Sequence, residues 1–541
     1  MTAGILISAT ACALVCSAMP TLGVHLDADT NRPSTSTFSV GEDIQAKFTV
    51  SGIAPNQAAS IVVSVADVDG VKQIPDIERQ ITGSGATSTS ITVDLPSAKL
   101  GYFTVSAKLN STIGLPALGS KPSGFISYAV VYPPSDRKDF GANYSHFGLQ
   151  GGFNKNADIL PYLGARYVLN GWPEQWAKEE ADGPNEFHPQ SLPKVSQNSG
   201  WHTYTIARLT AQQIPSWAIE PGTQGNGGCS RFGALNDKGR KALPGFASNF
   251  AMAFSRQNPS SSVRYYQITW EPFEKTCFNG TDEELIDFYR YSYSAIHDAD
   301  PNAIIVGPTL LLTNSAQLRR LLEAGLGKYI DGFSLHTYQP GNGKEALFPP
   351  ESNGFVGLLR SQLAVVRSYT NPNIPFIGTE HSFRSAEVGD LNKAEGDVRE
   401  TIIMLGEGAK VDVAFYAHDY WDDKSPPSSS KGYGFYWNLN PAIRFGSDKL
   451  APKPIVPAYS AMTYFLDGTT TAGPYTRISG SQIGYVFNNG TERILTAWDY
   501  NGKSAFTLPS GAARICDWMG NCTTKFPRQI SLGPTPTYIF F

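Results

Sequence analysis

Charged side chains are sparse in this chain. Asp, Glu, Lys and Arg make up 17 % of its 541 residues, against roughly 25 % in ordinary soluble domains. They sum to −4, so there is no basic excess to serve as an electrostatic footprint for nucleic acid. Long apolar runs are also lacking beyond the N-terminus, which leaves no later segment able to span a bilayer. Neither Cys-x-x-Cys nor His-x-x-x-His spacing occurs, which removes the usual frameworks for zinc. Gly225-Asn226-Gly227-Gly228 is followed by neither the lysine of a phosphate loop nor the dinucleotide-binding spacing. No metal or cofactor is therefore expected.

Aromatics, by contrast, are plentiful at 12 %, with 25 Tyr and 9 Trp. Such a surface suits neutral sugars, and it equally suits a β-rich core. Residues 1–22 read as an export signal: 5–18 is apolar and small and ends in Cys16-Ser17-Ala18, although a positively charged start is missing. The mature chain would be secreted, or periplasmic in a Gram-negative host, and would keep Cys229, Cys277, Cys516 and Cys522. An even number of cysteines in an exported chain points to two disulfides, Cys229 with Cys277 and Cys516 with Cys522, the alternative being buried free thiols.

The remainder divides into three by pattern. Residues 23–135 show short alternating runs (45–50, 60–65, 101–105), an Asp69-Gly70 hairpin signal and no helical period. They predict an immunoglobulin-like β-sandwich. Residues 136–466 alternate strand and helix eight times, which predicts a (β/α)8 TIM barrel; 215–220 is taken as its third strand. Residues 467–541 return to β patterning and predict a small C-terminal β domain.

Two stretches of the barrel carry the chemistry. Residues 263–275 read VRYYQITWEPFEK, a β-rich run stopped at Glu271 by Pro272. Proline donates no N–H and favours extended geometry in the residue before it, so Glu271 is expected at the tip of strand four. Residues 374–383, IPFIGTEHSF, repeat the design with Glu380 at the tip of strand seven. Barrel chemistry sits at C-terminal strand ends, and two carboxylates there are what a retaining glycosidase needs. Glu274, just beyond Pro272, and Glu220, ending the predicted strand three, compete with Glu271 as the acid.

With Ser334-Leu335-His336-Thr337-Tyr338 at the end of strand six, this constellation resembles the clan A glycoside hydrolases. It is most similar to family 39-type and related bacterial exopolysaccharide hydrolases. The resemblance covers the barrel and the C-terminal tail. It implies Glu271 as acid/base, Glu380 as nucleophile, Tyr338 as hydrogen-bond donor to the nucleophile, His336 in the same subsite and Trp421 as a stacking platform. The clan usually carries Asn before its acid/base, touching the sugar 2-hydroxyl; this chain has Trp270, which accepts no hydrogen bond. Asn170, Trp172 and Glu220 are further candidate substrate contacts, and the loop aromatics Trp176, Trp201, Trp217, Tyr433 and Trp437 suit either cleft or core. Glu271, beside Trp270 and Pro272, is expected to be the poorly solvated, protonated partner, and Glu380, bonded by a phenol, the ionised one. The expected activity is double-displacement hydrolysis of a β-linked polysaccharide or oligosaccharide, endo-acting. The rival is an inactive carbohydrate-binding or surface-adhesion protein on a glycosidase-like barrel.

Overall fold

Eight parallel strands form the centre of the molecule. They are Phe147–Gly151, Tyr167–Asn170, a broken third strand, Arg264–Thr269, Ala303–Leu311, Gly332–His336, Phe376–His381 and Val411–Phe415. The last pairs with the first, closing the ring. In this computed structural model the described residues are 25–541 apart from 54–55, 57, 84–87, 110–115, 118–120, 123, 152–155, 171–174, 187–199, 212, 260, 339–348, 421–431 and 441. The expected leader, 1–22, lies outside them. Strands one, four, six and seven are buried at every position, as parallel strands are when covered on both faces.

Strand three is not where the sequence pattern suggested. Tyr204–Thr205 pairs with strand two and Ala207–Ala211 with strand four. Between them the Ile206 N–H donates to the Val168 carbonyl at 3.0 Å, so the ring stays bonded across the break. Residues 215–220 form instead a 3-10 turn, Ser216–Ala218, with an isolated bridge from Ile219 to Leu235. Pro215 starts this turn, consistent with its fixed φ and missing N–H.

Local signals explain the helices. Asp282–Ala299 starts at a capping box, in which Thr281 accepts from the Glu284 N–H and Glu284 accepts from the Thr281 N–H. Three acids occupy its first turn, where the helix dipole favours negative charge. Asp237–Gln257 is capped by Asn236 and buries Leu243, Phe246, Phe250 and Phe254 along one stripe. The long helix after strand seven, Asp390–Gly406, buries both of its faces. One face meets the barrel. On the other, Gly406 lies so close to the Tyr485 ring that a Cβ would overlap it, and Tyr485 Oη donates to Glu407 at 2.8 Å.

Tyr485 belongs to the C-terminal sheets, six antiparallel strands and a two-stranded ribbon around Val486, Leu495, Phe506, Leu532 and Ile539. At the other end of the chain, sheets of three and five strands share a core that includes Phe48, Val63, Val105 and Tyr128. This N-terminal pair is joined to the barrel by Ser127 Oγ donating to the Pro452 carbonyl at 2.6 Å and by Lys449 paired with Asp29 at 2.6 Å. Both predicted disulfides are formed, Cys229–Cys277 and Cys516–Cys522. The first ties the loop after strand three to the loop that follows Glu271.

Strand four is held from below by a buried pair. Arg264 donates from Nε and Nη2 to the two oxygens of Asp300 at 2.6 and 2.5 Å, and Tyr266 Oη donates to the same carboxylate at 2.7 Å. Removing one partner leaves an uncompensated buried charge, costing about 3–5 kcal/mol. Asp300→Ala should therefore lower the thermal midpoint sharply, while the double change Arg264→Met/Asp300→Leu should lower it much less. Calorimetry of the two variants checks this; equal losses would contradict it.

Candidate active site

Strand four stops at Thr269, and the chain then turns abruptly. Glu271 has φ +42°, a left-handed conformation that the following proline disfavours, rather than the extended one expected from sequence. Its N–H donates to the Thr309 carbonyl at 3.1 Å, and Thr309, at φ +59°, is itself left-handed. Thr309 shares a 2.6 Å hydrogen bond with Ser334 on strand six, and the Pro272 carbonyl accepts from Gln317 at 2.8 Å. Conformations of this kind cost on the order of 1–3 kcal/mol and persist where surroundings over-determine them. Here they aim a carboxylate into the barrel mouth.

Strand seven brings Glu380 from the other side. Its carbonyl accepts from the Thr337 N–H at 3.0 Å, which locks the tip of strand six, and with it His336 and Tyr338, against the same strand. Below it Gly378 is required by a close approach: a Cβ there would collide with the Asp412 carboxylate of strand eight.

Glu271, His336 and Glu380 converge, with one oxygen or nitrogen of each lying within 4.8 Å of the others. His336 Nδ1 is 2.7 Å from Glu271 Oε1 and 3.6 Å from Glu380 Oε2. Tyr338 Oη donates to Glu380 Oε2 at 3.1 Å. Glu380 Oε1 is buried and has no hydrogen-bond partner among the described residues. Trp270, 5 % exposed, meets His336 edge-to-face at 5.5 Å, and the buried Arg208 guanidinium lies 4.1 Å from its ring centre. A cation could in principle draw on this trio, but the short His336–Glu271 contact already occupies the imidazole nitrogen nearest both carboxylates. The geometry is that of a proton-sharing cluster.

Burial orders the charges differently from the sequence-based expectation. Glu380 is the more buried acid, whereas the Glu271 side chain is 21 % exposed. Burial pushes Glu380 up to about 7 and Glu271 adds to this, against the pull of His336, Arg208 and Tyr338. The buried His336 would lose its proton on burial alone, but Glu380 and Glu271 more than offset that and raise it. Burial brings Arg208 down to about 9, opposed by Glu380 and Tyr416.

The surrounding cavity, about 390 Å³, is walled by Gln150, Phe273, Phe415, Tyr416, Tyr433 and Phe445 besides Trp270, Glu271, Tyr338 and Glu380. Tyr433 was among the sequence candidates; the other five and Arg208 were not. Arg208 sits in ARLTA, an obvious charged interruption once those residues are seen as strand three. Asn170 ends strand two, and its side chain, with Trp172 and Trp421, lies outside the described residues. Glu220 is exposed just beyond the 3-10 turn, and Glu274 is tied to Arg320 at 2.6 Å; neither lines the cavity. Trp176 is core, stacked on Phe246, and Trp437 packs against the N-terminal core. Asp419 is buried and paired with Lys453 at 2.8 Å.

No family model matches the chain, and no curated protein matches it in sequence. Solved structures do. A family 39 glycoside hydrolase from Bacteroides cellulosilyticus WH2 superposes with a TM-score of 0.63 at 13 % identity, over 95 % of this chain and 99 % of that one. The GH39 enzyme from Xanthomonas axonopodis pv. citri gives 0.51 at 12 % identity over 74 % and 93 %. A GH39 β-xylosidase from Caulobacter crescentus gives 0.51 at 12 % over 74 % and 96 %. At such identity the likeness is one of fold, and it extends over the flanking β sheets in the first case.

The charge of the buried Arg208 pulls the pKa of Glu380 down, against the effect of burial. Arg208→Met should therefore let that pKa rise further. Whatever reaction needs Glu380 ionised should lose its low-pH activity first, its acid limb moving to higher pH. A pH–rate profile of the variant checks this, and an unmoved limb would contradict it.

Proposed function

We propose that this protein is a retaining β-glycoside hydrolase acting on a polysaccharide or oligosaccharide by double displacement. One observation carries the reading: a carboxylate oxygen of Glu271 and one of Glu380 lie within 4.8 Å of each other at the C-terminal mouth of a (β/α)8 barrel. Retaining enzymes hold their carboxyl groups about 5–5.5 Å apart, whereas inverting enzymes leave roughly 6.5–9.5 Å for a water.

In this reading Glu380 is the nucleophile. Tyr338 anchors its Oε2, leaving the unpartnered Oε1 to attack the anomeric carbon. The bond from that carbon to the leaving oxygen breaks as Glu271 delivers a proton to it, and a glycosyl ester on Glu380 results. Water then attacks the same carbon while Glu271 removes its proton, releasing Glu380 and a sugar of unchanged configuration. The proton Glu271 must give is held in the 2.7 Å pair with His336, while Arg208 and the Tyr338 hydroxyl favour the ionised form of Glu380. Aromatic walls exclude water and offer faces to sugar rings.

The two disulfides accord with an exported protein. Among the described residues no helix is long and apolar enough to cross a membrane. We read the N-terminal sheets as an immunoglobulin-like module that braces the barrel, and the cleft as endo-acting.

Glu271→Ala should slow cleavage of a natural glycan about a hundred- to ten-thousand-fold, the usual worth of general acid–base catalysis. With an activated aryl β-glycoside, which leaves unaided, the first step should survive. Added azide should then restore turnover and yield a β-glycosyl azide. Glu380→Gln should be inactive under all these conditions. An α-configured azide product would reject retention, and rescue in Glu274→Ala or Glu220→Ala instead would reassign the acid.

A further inference from the structure

A second cavity lies outside the barrel. It is a groove of about 940 Å³ in the C-terminal sheets, between the turn at 475–482 and the ribbon edges at 505–512 and 526–528. Tyr475 and Phe526, both half-buried, contribute aromatic surface, and Tyr475 is braced edge-on against the buried Phe506 at 6.2 Å. Arg477 and Arg528 stand exposed along it, and among the described residues no Asp or Glu lines it. Neither guanidinium is paired with a carboxylate among the described residues. Other arginines of the same sheets are engaged: Arg493 lies over Phe541 at 4.9 Å, and Arg514 lies over Phe540 at 3.8 Å and 3.7 Å from Glu492.

We infer that this groove is a second glycan-binding site, separate from the barrel mouth, and that it takes a carboxylate-bearing polysaccharide segment. Guanidinium groups match carboxylates in bidentate geometry, and two left free beside a groove without acids supply charge complementarity to a polyuronate. The aromatic surfaces supply apolar contact for the C–H faces of the sugar rings. A cavity of this size lies at the upper end of those that hold small ligands and is open enough for a chain to continue past it. None of the catalytic trio lines the groove, so the inference goes beyond hydrolysis and does not depend on it.

The test is calorimetric titration of the full chain with hexamers of galacturonate and of mannuronate, with the same hexamers carboxyl-reduced, and with polyglutamate. At least one oligouronate should bind, weakening as salt rises. Arg477→Ala/Arg528→Ala should raise Kd about tenfold or more, in keeping with the loss of charge-assisted hydrogen bonds. Both residues are exposed, so the thermal midpoint should not move. The carboxyl-reduced hexamers should bind at least tenfold more weakly. Any of four results overturns the proposal: no binding of either oligouronate at millimolar concentration, unchanged Kd in the double variant, equal binding of the reduced sugars, or equal binding of polyglutamate.

Discussion

Two carboxylates brought this close inside a protein repel each other and lose their water, and the rest of the structure depends on how that is answered. His336 answers it most directly, with Nδ1 2.7 Å from Glu271 and 3.6 Å from Glu380. Arg208 and Tyr338 complete the compensation from the Glu380 side. Remove the imidazole, and the contact that links the two acids is lost. The left-handed turn at Glu271 and the Thr337–Glu380 backbone bond then follow as geometry. They are what it takes to point three side chains from strands four, six and seven at one another.

Rigidity behind the site comes from buried charge as well as apolar packing. Strand four is clamped from below by Arg264 and Asp300. Behind strand seven, His381 pairs with Asp412 at 2.9 Å, and Lys393 with Asp397 at 2.5 Å. These pairs add little net stability over an apolar core, but breaking one is expensive. That asymmetry discourages alternative packings around the strand that carries Glu380. The helix Asp390–Gly406 is enclosed by the barrel and the C-terminal sheets, so those sheets back the scaffold behind strand seven.

Much of this was legible in one dimension. Strands four, six and seven are short β-rich or apolar runs with clear stops, and their period and punctuation survive because parallel barrel strands are buried on both faces. Strand three was misplaced because Tyr204–Thr205 and Ala207–Ala211 are too short and too mixed, with Arg208 inside, to stand out against 215–220. Losing that strand lost Arg208. Among the six cavity walls named above, Tyr433 was anticipated. The others, such as Phe273 and Phe415, are drawn from separate loops and strand ends, and no spacing along the chain relates them.

Order along the chain therefore determined most of the elements, the barrel and the two glutamates at or just past strand ends, because each is a local pattern of apolar period, proline and acid. Both cysteine pairings were also anticipated, from an even count in a chain expected to be exported and from the short Cys516–Cys522 spacing. Tertiary structure decided which acid is the more buried. The sequence put Trp270 and Pro272 beside Glu271 and so suggested that Glu271 was desolvated, whereas in the fold Glu380 lies deeper and Glu271 keeps part of its exposure. A neighbour in sequence points its side chain wherever the backbone turns, and at φ +42° Glu271 turns toward the open mouth and His336. Protonation is set by solvent and by charges across the barrel, and those distances exist only once it has closed.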